Sequence, residues 1–196
     1  MNSDKPIILA SSSPYRQQLL NRLQIDYTAI SPEIDESPHA NEAGIDQAKR
    51  LARQKAFALS DQFHCHFIIG SDQVVIVNQK QLPKPGNRES AIHQLQTISG
   101  STVDFYTSIC VLNSKTLQFS EGIDHCSVTF RKLSLTEIEK YVDLDKPYNC
   151  AGSFKSEGLG IALIETISGE DPNALIGLPL IKLITLLKNF DVEILK

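Results

Sequence analysis

No stretch of this 196-residue chain comes near the roughly 20 apolar residues needed to span a bilayer. Its longest apolar run, residues 175–187, is interrupted by Gly177, Pro179 and Lys182, so no transmembrane segment is read. There is also no basic run, and the net charge is -4, which leaves no electrostatic footprint for a nucleic-acid polymer. The four cysteines, Cys65, Cys110, Cys126 and Cys150, contain no Cys-x-x-Cys spacing. Neither a zinc knuckle nor a disulfide framework is signalled, and free buried thiols are expected. No Gly-x-x-x-x-Gly-Lys-Ser/Thr occurs, which excludes a Walker loop. Repeats, low-complexity tracts and a linker rich enough to mark a domain boundary are missing as well. The polar residues 1–5 lead into Pro6-Ile7-Ile8-Leu9, which is too short for a signal-peptide hydrophobic region, so a cytoplasmic location is expected.

What is present suits a packed α/β protein. At 41% hydrophobic and 21% charged, the chain can bury a sizeable core as one compact unit or two tightly joined lobes, and one domain over 1–196 is expected. Residues 7–10 form a short apolar run, followed by Ser13 as an N-cap and Pro14 at the first helical position. Leu19, Leu20 and Leu23 fall on one face of the helix so begun. A second strand is read near residues 27–31, and a helix from the pattern Ala48, Leu51, Ala52, Phe57, Leu59. Residues 67–70 and 74–77 have the β-branched, apolar character of buried strands. Asn87 caps a helix closed by Gly100, and strands over 102–112 and 117–131 are joined at residues 113–115. Ser134-x-x-Glu137 is a capping box. Residues 152–160 read as a loop, 161–167 as a strand and 179–190 as a closing amphipathic helix.

Four constellations suggest chemistry, each with a plainer explanation beside it. Ala10-Ser11-Ser12-Ser13-Pro14-Tyr15-Arg16 is a hydroxyl-rich turn into a helix N-terminus, where free N–H groups favour an anion; an ordinary cap with a surface arginine explains it equally simply. Gly70-Ser71-Asp72-Gln73 puts a carboxylate at the end of an apolar strand, as a general base, a metal ligand or merely a turn aspartate. Lys55, Lys84 between Pro83 and Pro85, and Lys155 could neutralise phosphate charge around a metal, or be solvated surface charges. The acidic turn Glu33, Asp35, Glu36 offers oxygens to a hard cation, or is a solvated loop. His64-Cys65-His66 has no further ligand at usable spacing and is read as a loop without function.

Taken in order, these segments resemble the Maf family of nucleotide pyrophosphatases. The likeness runs from Leu9-Ala10-Ser11-Ser12-Ser13-Pro14-Tyr15-Arg16 through Asp35-Glu36, Lys55-Ala56, Gly70-Ser71-Asp72-Gln73-Val74 and Lys84-Pro85-Gly86. It continues through Ala151-Gly152-Ser153-Phe154-Lys155-Ser156-Glu157-Gly158-Leu159-Gly160 and the segment from Gly169-Glu170-Asp171 to Gly177-Leu178-Pro179. The resemblance implies an inosine-triphosphatase-like (Maf/HAM1-type) fold, an elongated mixed β-sheet flanked by helical lobes. It also implies attack of water on the α-phosphorus of a nucleoside triphosphate with release of pyrophosphate.

Carried over by position, Asp72 is the expected catalytic base, and Ser11, Ser13, Arg16, Lys55 and Lys84 are the expected phosphate-binding groups. Glu36 is the expected ligand of a divalent cation, Mg²⁺ or Mn²⁺. A homodimer is common in such folds and belongs to the same expectation. Tyr15, Gln73 and Glu157 stand where the family's subgroups differ. Members acting on dTTP and UTP have Arg, Thr and Gln there; an aromatic residue, Gln and Glu resemble the subgroup acting on 7-methyl-GTP, in which Trp is commoner than Tyr at the first place. An aromatic face suits a cationic methylated guanine, and a carboxylate can accept from its N1–H and exocyclic amine. Pyrimidine triphosphate hydrolysis, and a nucleotide-binding regulator of septum formation, are the alternatives.

Overall fold

The computed structural model describes residues 6–195; the polar residues 1–5 discussed above lie outside them. The strands, in chain order, are β1 (Ile7–Ala10), β2 (Tyr27–Ile30), β3 (Phe67–Val77), β4 (Lys80–Leu82), β5 (Thr102–Asn113), β6 (Gln118–Phe130) and β7 (Ile164–Gly169). The helices are α1 (Pro14–Asn21), α2 (Gly44–Phe57), α3 (Arg88–Ile98), α4 (Leu135–Asp145) and α5 (Leu180–Lys188). The strands follow the order β2-β1-β3-β5-β6-β7, with β4 paired to β3. β1 runs parallel to β2 and β3, whereas β4 on β3 and β7 on β6 are antiparallel, so the sheet is mixed as expected.

The chain divides into two compact units. Of the described residues, one contains 6–72, 107–124 and 171–195, and the other 73–106 and 125–170. Three of the four divisions fall inside strands, between Asp72 and Gln73 in β3, Tyr106 and Thr107 in β5, and Asp124 and His125 in β6, and the fourth, between Glu170 and Asp171, follows the end of β7. A division that runs through a strand needs no linker, which is why no boundary is visible in composition.

In the first unit the core obeys the period of two of a pleated strand. Ile7, Leu9, Phe67, Ile69, Ile109 and Val111 point to one face and pack with Leu19 and Leu20 of α1 and Leu180, Leu183 and Leu187 of α5. Their neighbours Ile8, Ala10, Ile68, Cys110 and Leu112 point to the other and pack with Ala52 and Ala56 of α2. Helix α1 begins as the sequence indicates: Ser13 is extended, its side chain accepts from the Arg16 N–H, and Pro14 opens the helix.

In the second unit Asn87 caps α3 by accepting from the Ser90 N–H, and Ser134 with Glu137 forms the complete capping box of α4. α3 packs on α4, and Phe154 lies against Phe105 and Phe130. The expected strand at 161–167 is shifted. Residues Leu159–Leu163 form a 3-10 turn, and β7 starts only at Ile164, where pairing with Phe130 of β6 becomes available. Short apolar runs carry no strong preference of their own, and the partner strand decides where extension begins. Helix α3 likewise stops at Ile98, two residues before the positive-φ Gly100.

Among the described residues no helix is long and apolar enough to cross a membrane. None of the four cysteines is in a disulfide; Cys110 and Cys126 are buried as expected, Cys150 is half-buried, and Cys65 is exposed at φ +64° in the loop before β3.

Candidate active site

The second strand assignment that needs revision is the one that carries chemistry. Gly70-Ser71-Asp72-Gln73 has the composition of a turn, yet it is the middle of the unbroken 11-residue strand β3. Pairing of β3 with β1 ends at Leu9 opposite Ile69, so the strand outruns its parallel neighbour just as β1 gives way to the Ser11–Ser13 loop. Asp72 is therefore a strand residue lying beyond the carboxyl end of β1, the region where open α/β sheets present ligand-binding groups. Local turn preference is overridden by pairing on the strand's other side, where β5 is the neighbour.

The alternation that builds the core also sorts the polar residues. Ile68, Gly70 and Asp72 share the α2 face, while Ile69 and Ser71 share the α1 and α5 face. Gly70 is where α2 crosses β3, and a Cβ there would lie 2.1 Å from the Ala52 carbonyl oxygen. Only glycine permits that approach, which brings the last turn of α2 onto the strand. Lys55 is in that turn, is only 5% exposed, and donates from Nζ to Asp72 Oδ1 at 2.7 Å. The same ammonium lies 2.8 Å from Glu36 Oε1, so one buried cation joins two carboxylates, of which Asp72 is buried and Glu36 exposed. The loop that carries Glu36 is held by Gln47 Nε2 donating to the Glu36 carbonyl and by Asp35 accepting from the Ser37 N–H.

On the opposite face Ser11, buried, accepts on its hydroxyl oxygen from the Ser13 N–H at 3.2 Å and from Arg16 Nη1 at 3.4 Å. Arg16 Nε donates to the Gly177 carbonyl at 2.8 Å, and the Ser71 hydroxyl donates to that same oxygen at 3.0 Å and to the Ser108 carbonyl at 2.8 Å. Burial pushes the Arg16 pKa below its ordinary value, while the negative charges of Asp72 and Glu36 oppose that shift. Tyr15, next to it on α1, is half-buried. Seven of the expected residues, Ser11, Ser13, Tyr15, Arg16, Glu36, Lys55 and Asp72, are thus in the first unit.

The second unit holds the other three expected residues. Gln73 follows Asp72 on β3 and is half-buried; Lys84 and Glu157 are exposed. Lys84 lies between Pro83 and the buried Pro85, and the following Gly86 N–H donates to the Tyr148 carbonyl. Lys155, another candidate cation, is tied by its own N–H to the Tyr141 hydroxyl at 3.0 Å, and its ammonium donates to the Asp145 carbonyl at 3.4 Å. Burial first, and then the negative charge of Glu157, push the Cys150 thiol up to about 11, with the positive charges of Lys155 and Lys84 acting against them. Lys84, Lys155 and Glu157 therefore act electrostatically on one thiol.

The residues that sequence reasoning did not single out are Ser71, Asp171 and Gly177. Asp171 and Gly177 lie inside the segment that carried the resemblance, so their place was visible but not their task. The burial of Lys55 was also illegible, because a lysine on an amphipathic helix normally faces water.

A divalent cation can be tested against these donors. Among the described residues no three His, Cys, Asp or Glu side chains gather as a metal-binding group. Mg²⁺ needs less from protein, since one or two carboxylates suffice when substrate phosphates complete the shell. The exposed carboxylate of Glu36 is a hard oxygen donor of the kind such a cation takes, so its chemistry fits.

The model of the family described as Maf-like protein matches residues 6–190. The chain belongs to the Maf family. Among its relatives, a protein named 7-methyl-GTP pyrophosphatase from Alcanivorax borkumensis is 51% identical over 175 residues, 89% of each chain. The proteins of the same name from Aliivibrio fischeri and Vibrio parahaemolyticus are 47% and 48% identical over 189 residues, covering 96% of this Maf chain and 98% and 97% of theirs. Among solved structures it is similar to the Ham1 protein of Staphylococcus aureus, with a TM-score of 0.47 and 16% identity over 65% of this chain and 73% of the other.

Proposed function

We propose that this Maf chain is a pyrophosphatase that hydrolyses 7-methyl-GTP to 7-methyl-GMP and pyrophosphate. The observation that carries the reading is the near-full-length similarity, at about half identity, to proteins named for that activity. Tyr15 and Glu157 agree with it by chemistry: an aromatic face can stack on the positively charged base, and a carboxylate can accept its N1–H and amine protons.

In this mechanism a water molecule attacks the α-phosphorus, the bond from that phosphorus to the bridging oxygen breaks, and pyrophosphate leaves with the bond's electrons. The water proton passes to the Asp72 carboxylate. Lys55 orients that carboxylate through its 2.7 Å hydrogen bond and adds positive charge where the transferring phosphoryl group needs it. Ser11, Ser13 and Arg16, at the start of α1, bind phosphate oxygens with the help of that helix terminus. Lys84 contributes charge from a segment stiffened by its flanking prolines. A divalent cation held by Glu36 would supply charge neutralisation to the triphosphate.

The experiment is pyrophosphate release with Mg²⁺ or Mn²⁺ across 7-methyl-GTP, GTP, UTP, dTTP, CTP and ITP, with Asp72→Asn as the blank. Selective turnover of 7-methyl-GTP that disappears in the variant is expected. Preference for UTP and dTTP would overturn the substrate, and tight nucleotide binding without turnover in folded protein would turn the reading into that of a nucleotide-binding regulator.

A further inference from the structure

The segment joining β7 to α5 carries a polar network that the reaction as written leaves unused. Asp171 is fully buried at 0% exposure. Its Oδ1 accepts from the Asn173 N–H at 2.9 Å and from Asn173 Nδ2 at 2.7 Å, and its Oδ2 accepts from the Ile181 N–H at 2.7 Å. Ile181 is in the first turn of α5, whose N-cap position is Pro179, a residue with no side chain able to cap. A carboxylate ten residues upstream therefore does the capping, at the helix end where negative charge is favoured. Thr107 Oγ1 fastens the middle of the segment by donating to the Ala174 carbonyl at 2.8 Å, and Thr107 is itself fully buried.

Between these ties the chain turns through Gly177 at φ +118°, a conformation that side chains disfavour. The turn aims the Gly177 carbonyl at two donors, Arg16 Nε and Ser71 Oγ. Ser71 precedes Asp72 on β3, so this one oxygen is bonded both to the phosphate-binding arginine and to the neighbour of the base. A guanidinium anchored through Nε has fewer arrangements to lose when its outer nitrogens meet a phosphate.

We propose that Asp171 is a positioning residue for triphosphate hydrolysis: with Thr107 it fixes the 171–179 segment so that the Gly177 carbonyl holds Arg16 in its phosphate-binding pose. The inference rests on the reading of Arg16 given above.

The test is a double-mutant cycle on 7-methyl-GTP with wild type, Asp171→Asn, Arg16→Lys and the pair, with circular dichroism to establish folding. Asparagine has a single acceptor oxygen and cannot serve both Asn173 and Ile181. Asp171→Asn is expected to lower kcat/KM about tenfold or more in folded protein. Lysine has no Nε to anchor, so in the Arg16→Lys background the same change should cost less than about twofold. Equal losses in both backgrounds, or a lower melting temperature with unchanged kinetics, would make Asp171 a purely structural residue and overturn the proposal. Should Asp171→Asn not fold, Thr107→Val removes the other tie without changing side-chain shape and must show the same non-additivity with Arg16→Lys. Should the wild type turn over no triphosphate, the proposed function falls by itself. The cycle is then read by calorimetric binding of inorganic pyrophosphate, with non-additivity supporting the positioning role and additive or absent effects overturning it.

Discussion

Lys55 Nζ lies 2.7 Å from Asp72 Oδ1, with both residues buried, and 2.8 Å from the exposed carboxylate of Glu36. Truncating the cation leaves Asp72 as a buried charge without its partner, a situation that destabilises more than an intact pair stabilises. Lys55→Met should therefore lower unfolding stability by about 3 kcal/mol. Adding Asp72→Asn should return part of that loss, because the neutral amide no longer needs the cation. Urea unfolding of the two variants checks it, and a double variant no more stable than Lys55→Met would refute the pairing.

Asp72→Asn alone keeps the shape and removes the carboxylate proposed as proton acceptor. Pyrophosphate release should fall by about 10²-fold or more while nucleotide binding stays near the wild-type level. Wild-type-like turnover would remove Asp72 from its role.

Gly70→Ala places a methyl group 2.1 Å from the Ala52 carbonyl oxygen, so α2 must retreat from β3. Overpacking of this kind costs about 1–3 kcal/mol, and the retreat also carries Lys55 away from Asp72. Stability and turnover should fall together, and an alanine variant with a wild-type melting temperature and rate would show that the helix is not pinned there.

Glu42 is pulled from its ordinary 4.5 down to about 2, mainly by the hydrogen bond from the Arg50 guanidinium. A carboxylate with a depressed folded-state pKa contributes stability that is fully present above about 4.5 and is lost as pH falls toward 2. The acid limb of a stability-against-pH curve should flatten in that window in Glu42→Gln, with little change at pH 7 in its shape. An unaltered limb would mean that the pair is not held in solution.

Glu157→Gln should shift preference among bases more than it alters the rate on a poor substrate. Ratios of kcat/KM for 7-methyl-GTP and UTP measure this, and an equal loss on both would assign Glu157 to something other than base choice.

The features legible in sequence were those determined within a few residues. Ser13-Pro14, Asn87 and Ser134-x-x-Glu137 start helices where they were expected, because a cap is satisfied by its own turn. Asp72 is legible as a candidate at the end of an apolar strand but not as the middle of one, since Gly-Ser-Asp-Gln becomes strand only through its neighbour in the sheet. Leu159–Leu163 failed in the opposite sense, being apolar enough for a strand but without a partner until Ile164. The tasks of Lys55 and Asp171 depend on atoms 17 residues away and ten residues away, respectively, and no local pattern announces such bonds.

The alternation of β3 also limits how this chain can vary. Because Ser71 and Asp72 serve opposite faces, deleting or inserting one residue between Phe67 and Asp72 would present the hydroxyl to Lys55 and the carboxylate to the Gly177 carbonyl. A substitution at Ser71 or Asp72 disturbs one network, whereas a change of length scrambles both at once.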